Sequence, residues 1–143
     1  MMKKLLCTLF SLLALGAALS AQTTLEQIAP RLADSRVSLD YSFSYGKVRC
    51  SGTITIQAPC YKAVGNGVEI WNDGSCRWTV DREAKEVYIE TPESPEDYMT
   101  YLQGITDLKL TGVKYSPLSE DLTKFIFDVD ALSDEWVVTD LRQ

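Results

Sequence analysis

The stretch VSLDYSFSY, Val37 to Tyr45, alternates without a break. Val37, Leu39, Tyr41, Phe43 and Tyr45 fall on one side of an extended chain, and Ser38, Asp40, Ser42 and Ser44 on the other. Successive side chains of a strand point to opposite faces, so this is a strand with one dry face and one wet face. Tyrosine and phenylalanine dominate the dry row, which admits two readings: an ordinary core, or the wall of a hollow for an apolar ligand. Tyr41 and Tyr45 carry hydroxyls that need partners when buried and that sit well at the rim of such a hollow.

The alternation continues outward. Gly46 and Lys47 make a tight turn, and VRCSGTITI sets Val48, Cys50, Gly52, Ile54 and Ile56 against Arg49, Ser51, Thr53 and Thr55, which completes a hairpin. Pro59 ends that strand. CYKAV opens a third, closed by Gly65, Asn66 and Gly67, and VEIW is a fourth. Asp73-Gly74 is a strong hairpin signal; Cys76, Trp78 and Val80 alternate after it, with Cys76 expected opposite Trp71. DREAK turns again and EVYIE is a sixth strand, so the centre of the chain reads as an antiparallel meander.

Helical signals flank the meander. Leu25, Ile28 and Leu32 share a helical face behind a Thr23 or Thr24 cap, and Pro30 predicts a short or kinked helix. In TPESPEDYMTYLQGI, Ser94 caps a helix with Pro95 at its first position; Tyr98, Leu102 and Ile105 form its apolar face, widened by Met99 and Tyr101. DLKLTGVKY, TKFIFDV and EWVVTDL then read as three further strands. The fold class is mainly β, with two or three short helices.

The 143-residue chain opens with Lys3 and Lys4, an apolar run from Leu5 to Leu19 broken only by Thr8 and Ser11, and the small residues Ser20 and Ala21. A membrane span needs about 20 apolar residues, so this shorter run reads as a secretory signal peptide. Residues 1–21 are expected to be removed, leaving 22–143 as one domain in the periplasm. Cys7 lies inside the apolar run, where a lipid-acceptor cysteine would not sit. The formal net charge is −6, and loss of the two leader lysines makes the remainder more acidic still. Phosphate backbones repel such a chain, so nucleic acid is not an expected partner.

Cys50, Cys60 and Cys76 remain after export, an odd number that implies one disulfide plus a thiol, or no disulfide. Cys60 and Cys76, placed roughly two strand spacings or 10 Å apart, are too distant for an easy bridge, which predicts at least one free thiol. The sequence has no histidine. That removes the usual general base and the Ser or Cys triads, and three thiolates fall short of the four ligands of structural zinc. Asp81, Glu86 and Glu90 sit in polar, turn-rich sequence that gives no reason for a raised carboxyl pKa. The expectation is a non-enzyme without metal or cofactor.

The run SGTITIQAPCYKAVGNGVEIWNDGSCRWTVDREAKEVYIE resembles the core of the outer-membrane lipoprotein carrier, or LolA-like, proteins. Gly52, Pro59, Asp73, Gly74, Trp78, Ala84, Lys85 and Val87 carry the resemblance, which covers about Leu25 to Glu90 well and the rest loosely. It implies an open, curved antiparallel half-barrel with a helical lid over its concave apolar face. Family carriers hold lipoprotein acyl chains in that hollow, without cofactor or catalysis. The implied ligand-binding residues are Leu39, Tyr41, Phe43, Tyr45, Ile54, Ile56 and Trp78 on the sheet and Tyr98, Met99 and Leu102 on the lid. The implied partners are a lipoprotein acyl chain or other amphiphile and a membrane-associated donor or acceptor protein. Many family members have an arginine just before the proline that helps govern hand-off; Ala58 stands here, so that role does not carry over. The alternative is a scaffold or sensor module with a filled core and a protein partner.

Overall fold

The computed structural model describes residues 23–92 and 104–142, so the expected leader and the expected lid residues Tyr98, Met99 and Leu102 lie outside the described residues. The expected meander is present. Strands β1 (Ser35–Tyr45), β2 (Val48–Gln57), β3 (Cys60–Gly65), β4 (Val68–Asn72), β5 (Arg77–Asp81) and β6 (Glu86–Glu90) each pair antiparallel with the next. The chain then returns to the far edge, where β7 (Ile105–Pro117) pairs with β1, and finally β8 (Val137–Asp140) pairs parallel with β6. The strand order is β7-β1-β2-β3-β4-β5-β6-β8 in one open eight-stranded sheet. It is mixed, not wholly antiparallel as expected, because β8 enters after a long crossover of the kind parallel pairing requires.

Local chemistry explains the punctuation. Asn66 (φ 53) and Gly67 (φ 76) form a two-residue turn whose positive φ values match the twist of a tight hairpin. In β7 the register against β1 slips twice, between Ser38 and Asp40 and between Ser42 and Ser44, at the level of the positive-φ residues Gly112 and Asp107. An extra residue on one strand bends that strand and increases its twist. Ile105 begins β7, whereas the sequence pattern had assigned it to the lid helix. At the N-terminus, α1 (Thr23–Ile28) gives way to a 3-10 segment (Ala29–Ala33) at Pro30, which cannot continue the α-helical ladder. Ile28 and Leu32 are buried against the sheet.

TKFIFDV is not a strand. A 3-10 turn at Thr123–Phe125 opens it, a second follows at Val129–Ala131, and the segment lies across the sheet without joining its ladder. Gln57 fastens its start: Oε1 accepts from Ser119 N–H at 3.1 Å and from Arg36 Nε at 2.9 Å, while Nε2 donates to the Ser119 carbonyl at 2.8 Å. Arg36 Nη2 donates to the Asp121 carbonyl at 3.2 Å, and its guanidinium stacks 5.1 Å from the Phe125 ring centroid. The strap then carries Phe127 onto Trp71, edge to face at 5.5 Å.

The strap is needed because the apolar surface changes sides. Residues directly opposite one another share a face, so Ile54, Ala63, Ile70 and Thr79 form one row. On that face Ile28, Leu32, Val37, Leu39, Tyr41, Phe43, Cys50, Ile56, Tyr61 and Val68 join a first core. Trp71, Trp78 and Ile89 are likewise opposite one another on the other face. There Trp78, Val80, Val87 and Ile89 form a second core with Phe127, packed by Trp71, Val129, Leu132 and Trp136. The change occurs at β4, where Ile70 enters the first core and its neighbour Trp71 packs on the second.

Candidate functional site

Of the residues proposed from sequence, Leu39, Tyr41, Phe43, Ile54 and Ile56 come together on the first face, and Tyr45 packs half-buried at its end. Cross-strand pairing assembles them: Leu39 lies opposite Ile54, Val37 opposite Ile56, and Phe43 opposite Cys50. The face is closed to water, with Phe43 and Ile56 at 0% exposure and Leu39 and Tyr41 at 3%. Ile28 and Leu32 of the N-terminal segment, and Leu108 and Leu110 of β7, complete the enclosure among the described residues. Trp78 does not belong to it. Its register opposite Trp71 and Ile89 puts it in the second core, on the other side of the sheet from Tyr41.

Tyr41 is seated over a pair of glycines. Gly52 and Gly65 are directly opposite in β2 and β3, and Tyr41 is in turn opposite Gly52. A Cβ on Gly52 would lie 2.5 Å from the Tyr41 hydroxyl oxygen and 2.2 Å from the Val64 carbonyl; one on Gly65 would lie 2.4 Å from the same hydroxyl. Side chains at either position would therefore fill the slot the phenol occupies. Burial, with Cys50 acting in the same direction, holds the Tyr41 pKa far above the usual tyrosine range, so the hydroxyl stays protonated.

The thiols are spread through the fold. Cys50, Cys60 and Cys76 are all buried and none is in a disulfide, with Cys50 in the first core and Cys76 in the second. Cys76 precedes β5 and is not opposite Trp71; the wider Asp73–Cys76 turn, held by Asp73 Oδ1 accepting from the Ser75 and Cys76 amides, moves the register so that Trp78 takes that place. Burial pushes all three thiols up, which keeps them neutral and poorly nucleophilic.

Sequence reasoning passed over the polar end of the first face. The row Val37, Ile56, Tyr61, Asn72, Arg77, Glu90 crosses six strands, each residue opposite the next. Its first three members are buried hydrophobics, whereas Asn72 is 3% and Arg77 1% exposed. Arg77 Nη2 donates to Glu90 Oε2 at 2.5 Å. The signal that could have found this arrangement is the pairing itself: once Ile70 is opposite Thr79, its neighbours Thr79 and Arg77 must share the Ile54 face. No protein-family model and no curated protein matches the chain.

Proposed function

We propose that the chain is an exported, non-enzymatic LolA-like binder of a single-chain amphiphile, such as a lipoprotein acyl chain, held on the Tyr41 face. The observation that carries this reading is the composition of that face. Leu39, Tyr41, Phe43, Ile54 and Ile56 make one apolar surface, and on its helical side it meets a short, proline-interrupted segment that contributes Ile28 and Leu32. A short, broken cover of this kind is the sort of element that opens at low free-energy cost, and an acyl chain would take the place of its two side chains. In this reading the open sheet is the family's half-barrel, and a membrane-associated protein delivers or receives the ligand in the periplasm.

A second reading, a filled-core scaffold or sensor that binds a protein partner, is favoured by the complete burial of Val37, Phe43 and Ile56. One experiment separates them. The mature protein is titrated with a dansyl-labelled fatty acid and competed with lysophosphatidylcholine. Saturable, competable uptake at one probe per chain is expected. Phe43→Ala should weaken it, whereas Phe127→Ala, which removes the same ring from the opposite face, should not. Absence of uptake, or equal loss in both variants at matched stability, overturns the amphiphile reading and leaves the filled-core module.

A further inference from the structure

We infer that the β8 edge of the sheet is a self-association surface, and that its occupant is a second copy of this chain, paired antiparallel about Thr139. The inference is independent of the amphiphile reading. The sheet ends in β7 on one side and β8 on the other. An edge strand presents unpaired backbone groups, and proteins blunt it with lysines and with irregularities that twist it away. The β7 edge is blunted in this way: it carries Lys109 and Lys114, its register slips twice, and Asp107 and Gly112 take positive φ. Strand β8 has no lysine and pairs with β6 without a slip. Val137 is 60% exposed, Val138 42% and the following Leu141 51%, so apolar side chains flank this open edge on both faces of the sheet.

The ladder to β6 fixes which backbone groups are open. Val137 N–H donates to the Lys85 carbonyl at 2.9 Å and Leu141 N–H to the Ile89 carbonyl at 2.8 Å. Backbone groups of successive strand residues point to opposite sides in the plane of the sheet, so Val137, Thr139 and Leu141 bond to β6, whereas Val138 and Asp140 turn their N–H and C=O outward. A second β8, related by a two-fold axis, can engage these groups in registers centred on Val138, Thr139 or Asp140. Centring on Asp140 sets that carboxylate against itself, and centring on Val138 sets Leu141 against Glu135. Centring on Thr139 sets Val137 against Leu141 twice and Thr139 against its own copy. These are the non-hydrogen-bonded pairs, in which facing side chains lie closest. Val137, the most exposed large hydrophobic side chain among the described residues, is then covered. The same register brings the acidic start of one strand, Asp134 and Glu135, against the Arg142 end of the other, at both ends of the joint. A joint running only from Val137 to Leu141 is small for a specific interface, so the dimer is weak and reversible.

Sedimentation equilibrium of the mature protein over a hundredfold range of concentration tests this, and a monomer–dimer equilibrium is expected. Val138→Pro removes an outward N–H that β6 does not use, a substitution an edge strand tolerates, and it should weaken the dimer at least tenfold. Val137→Lys should act in the same direction. Thr139→Cys should give a disulfide-linked dimer on mild oxidation, because two residues facing each other in a non-hydrogen-bonded pair have Cα atoms about 4.5 Å apart, within the range a disulfide spans. Ser116→Cys, on the β7 edge, should not. A mixture of Val137→Cys and Leu141→Cys should link one variant to the other, which reports the register. If Val138→Pro does not fold, the cysteine variants decide: failure of Thr139→Cys to link, or equal linking by Ser116→Cys, overturns the inference. A protein that stays monomeric throughout the concentration range, or a dimer as tight in Val138→Pro as in the unaltered chain, overturns it as well.

Discussion

Tyr41 shows how much a single position depends on what faces it. A large aromatic ring in an antiparallel sheet needs space on the neighbouring strands, and here two directly opposed glycines supply it: the hydroxyl lies where the Cβ of Gly52 or Gly65 would be. Gly52 is further constrained by the Val64 carbonyl at 2.2 Å from its would-be Cβ, a backbone atom that no side-chain rotation can move away. Gly52→Ala is therefore expected to lower the unfolding free energy by about 1–3 kcal/mol, the range for overpacking a well-filled interior. Tyr41→Phe in the Gly52→Ala background should recover only part of that loss, because it relieves the hydroxyl contact and not the carbonyl one. Urea titrations of the two single variants and the double variant measure the coupling. Full recovery would mean that the hydroxyl alone makes the position intolerant of a side chain.

Among the elements, the strap from Leu118 to Trp136 has the least sheet-like geometry and covers the second core. Its Phe125 is 0% exposed, its Phe127 6%, and Ile126 between them 46%. Phe125→Ala should cost about 3–5 kcal/mol, the range for deleting a buried phenylalanine ring, whereas a surface substitution such as Ile126→Ala should stay within about 0.5 kcal/mol. The check is the denaturant midpoint of each variant at unchanged slope. The same segment shows where sequence reading reaches its limit. The alternation of Phe125, Phe127 and Val129 is real, but period two reports an extended chain with two unlike sides and carries no information on whether a neighbour pairs with it. Val37–Ile56 was legible because every odd position from Val37 to Tyr45 is apolar and every even one polar, which fixes the face. β5 was not: Arg77, Trp78, Thr79 and Val80 are all buried, so its side is set by pairing through β4. Trp78 was for that reason assigned to the Tyr41 face, and Arg77 was passed over as an ordinary polar position. Ile105 was misplaced because an apolar residue after Gly104 fits the end of a helix as well as the start of a strand. Gly104 itself closely approaches the Tyr45 ring, which a Cβ there would meet at 2.3 Å.

At the scale of the molecule, the two cores lie on opposite faces and share only the sheet between them. Their link is β4 and β5, where Ile70 packs into the first core while Trp71 and Trp78 pack into the second. A sheet held from both sides at its centre should transmit the loss of either core, since the strands that lose order are the same ones. The sequence provides the probes to test this. All three tryptophans, Trp71, Trp78 and Trp136, belong to the second core, so tryptophan emission reports that core and not the first. Leu39→Ala removes a side chain that is 3% exposed in the first core, and the expected cost is about 2–5 kcal/mol. If the domain unfolds as one cooperative unit, the urea midpoint followed by tryptophan emission should fall as far as the midpoint followed by far-ultraviolet dichroism, and the two curves should superpose. A tryptophan transition left at its original midpoint while the dichroism curve shifts or splits would show that the second core and its strap stand alone. In that case the Tyr41 face could open without disturbing the other side of the sheet. Coincident transitions instead require that any ligand entering the face displace its cover while β4 and β5 stay in register.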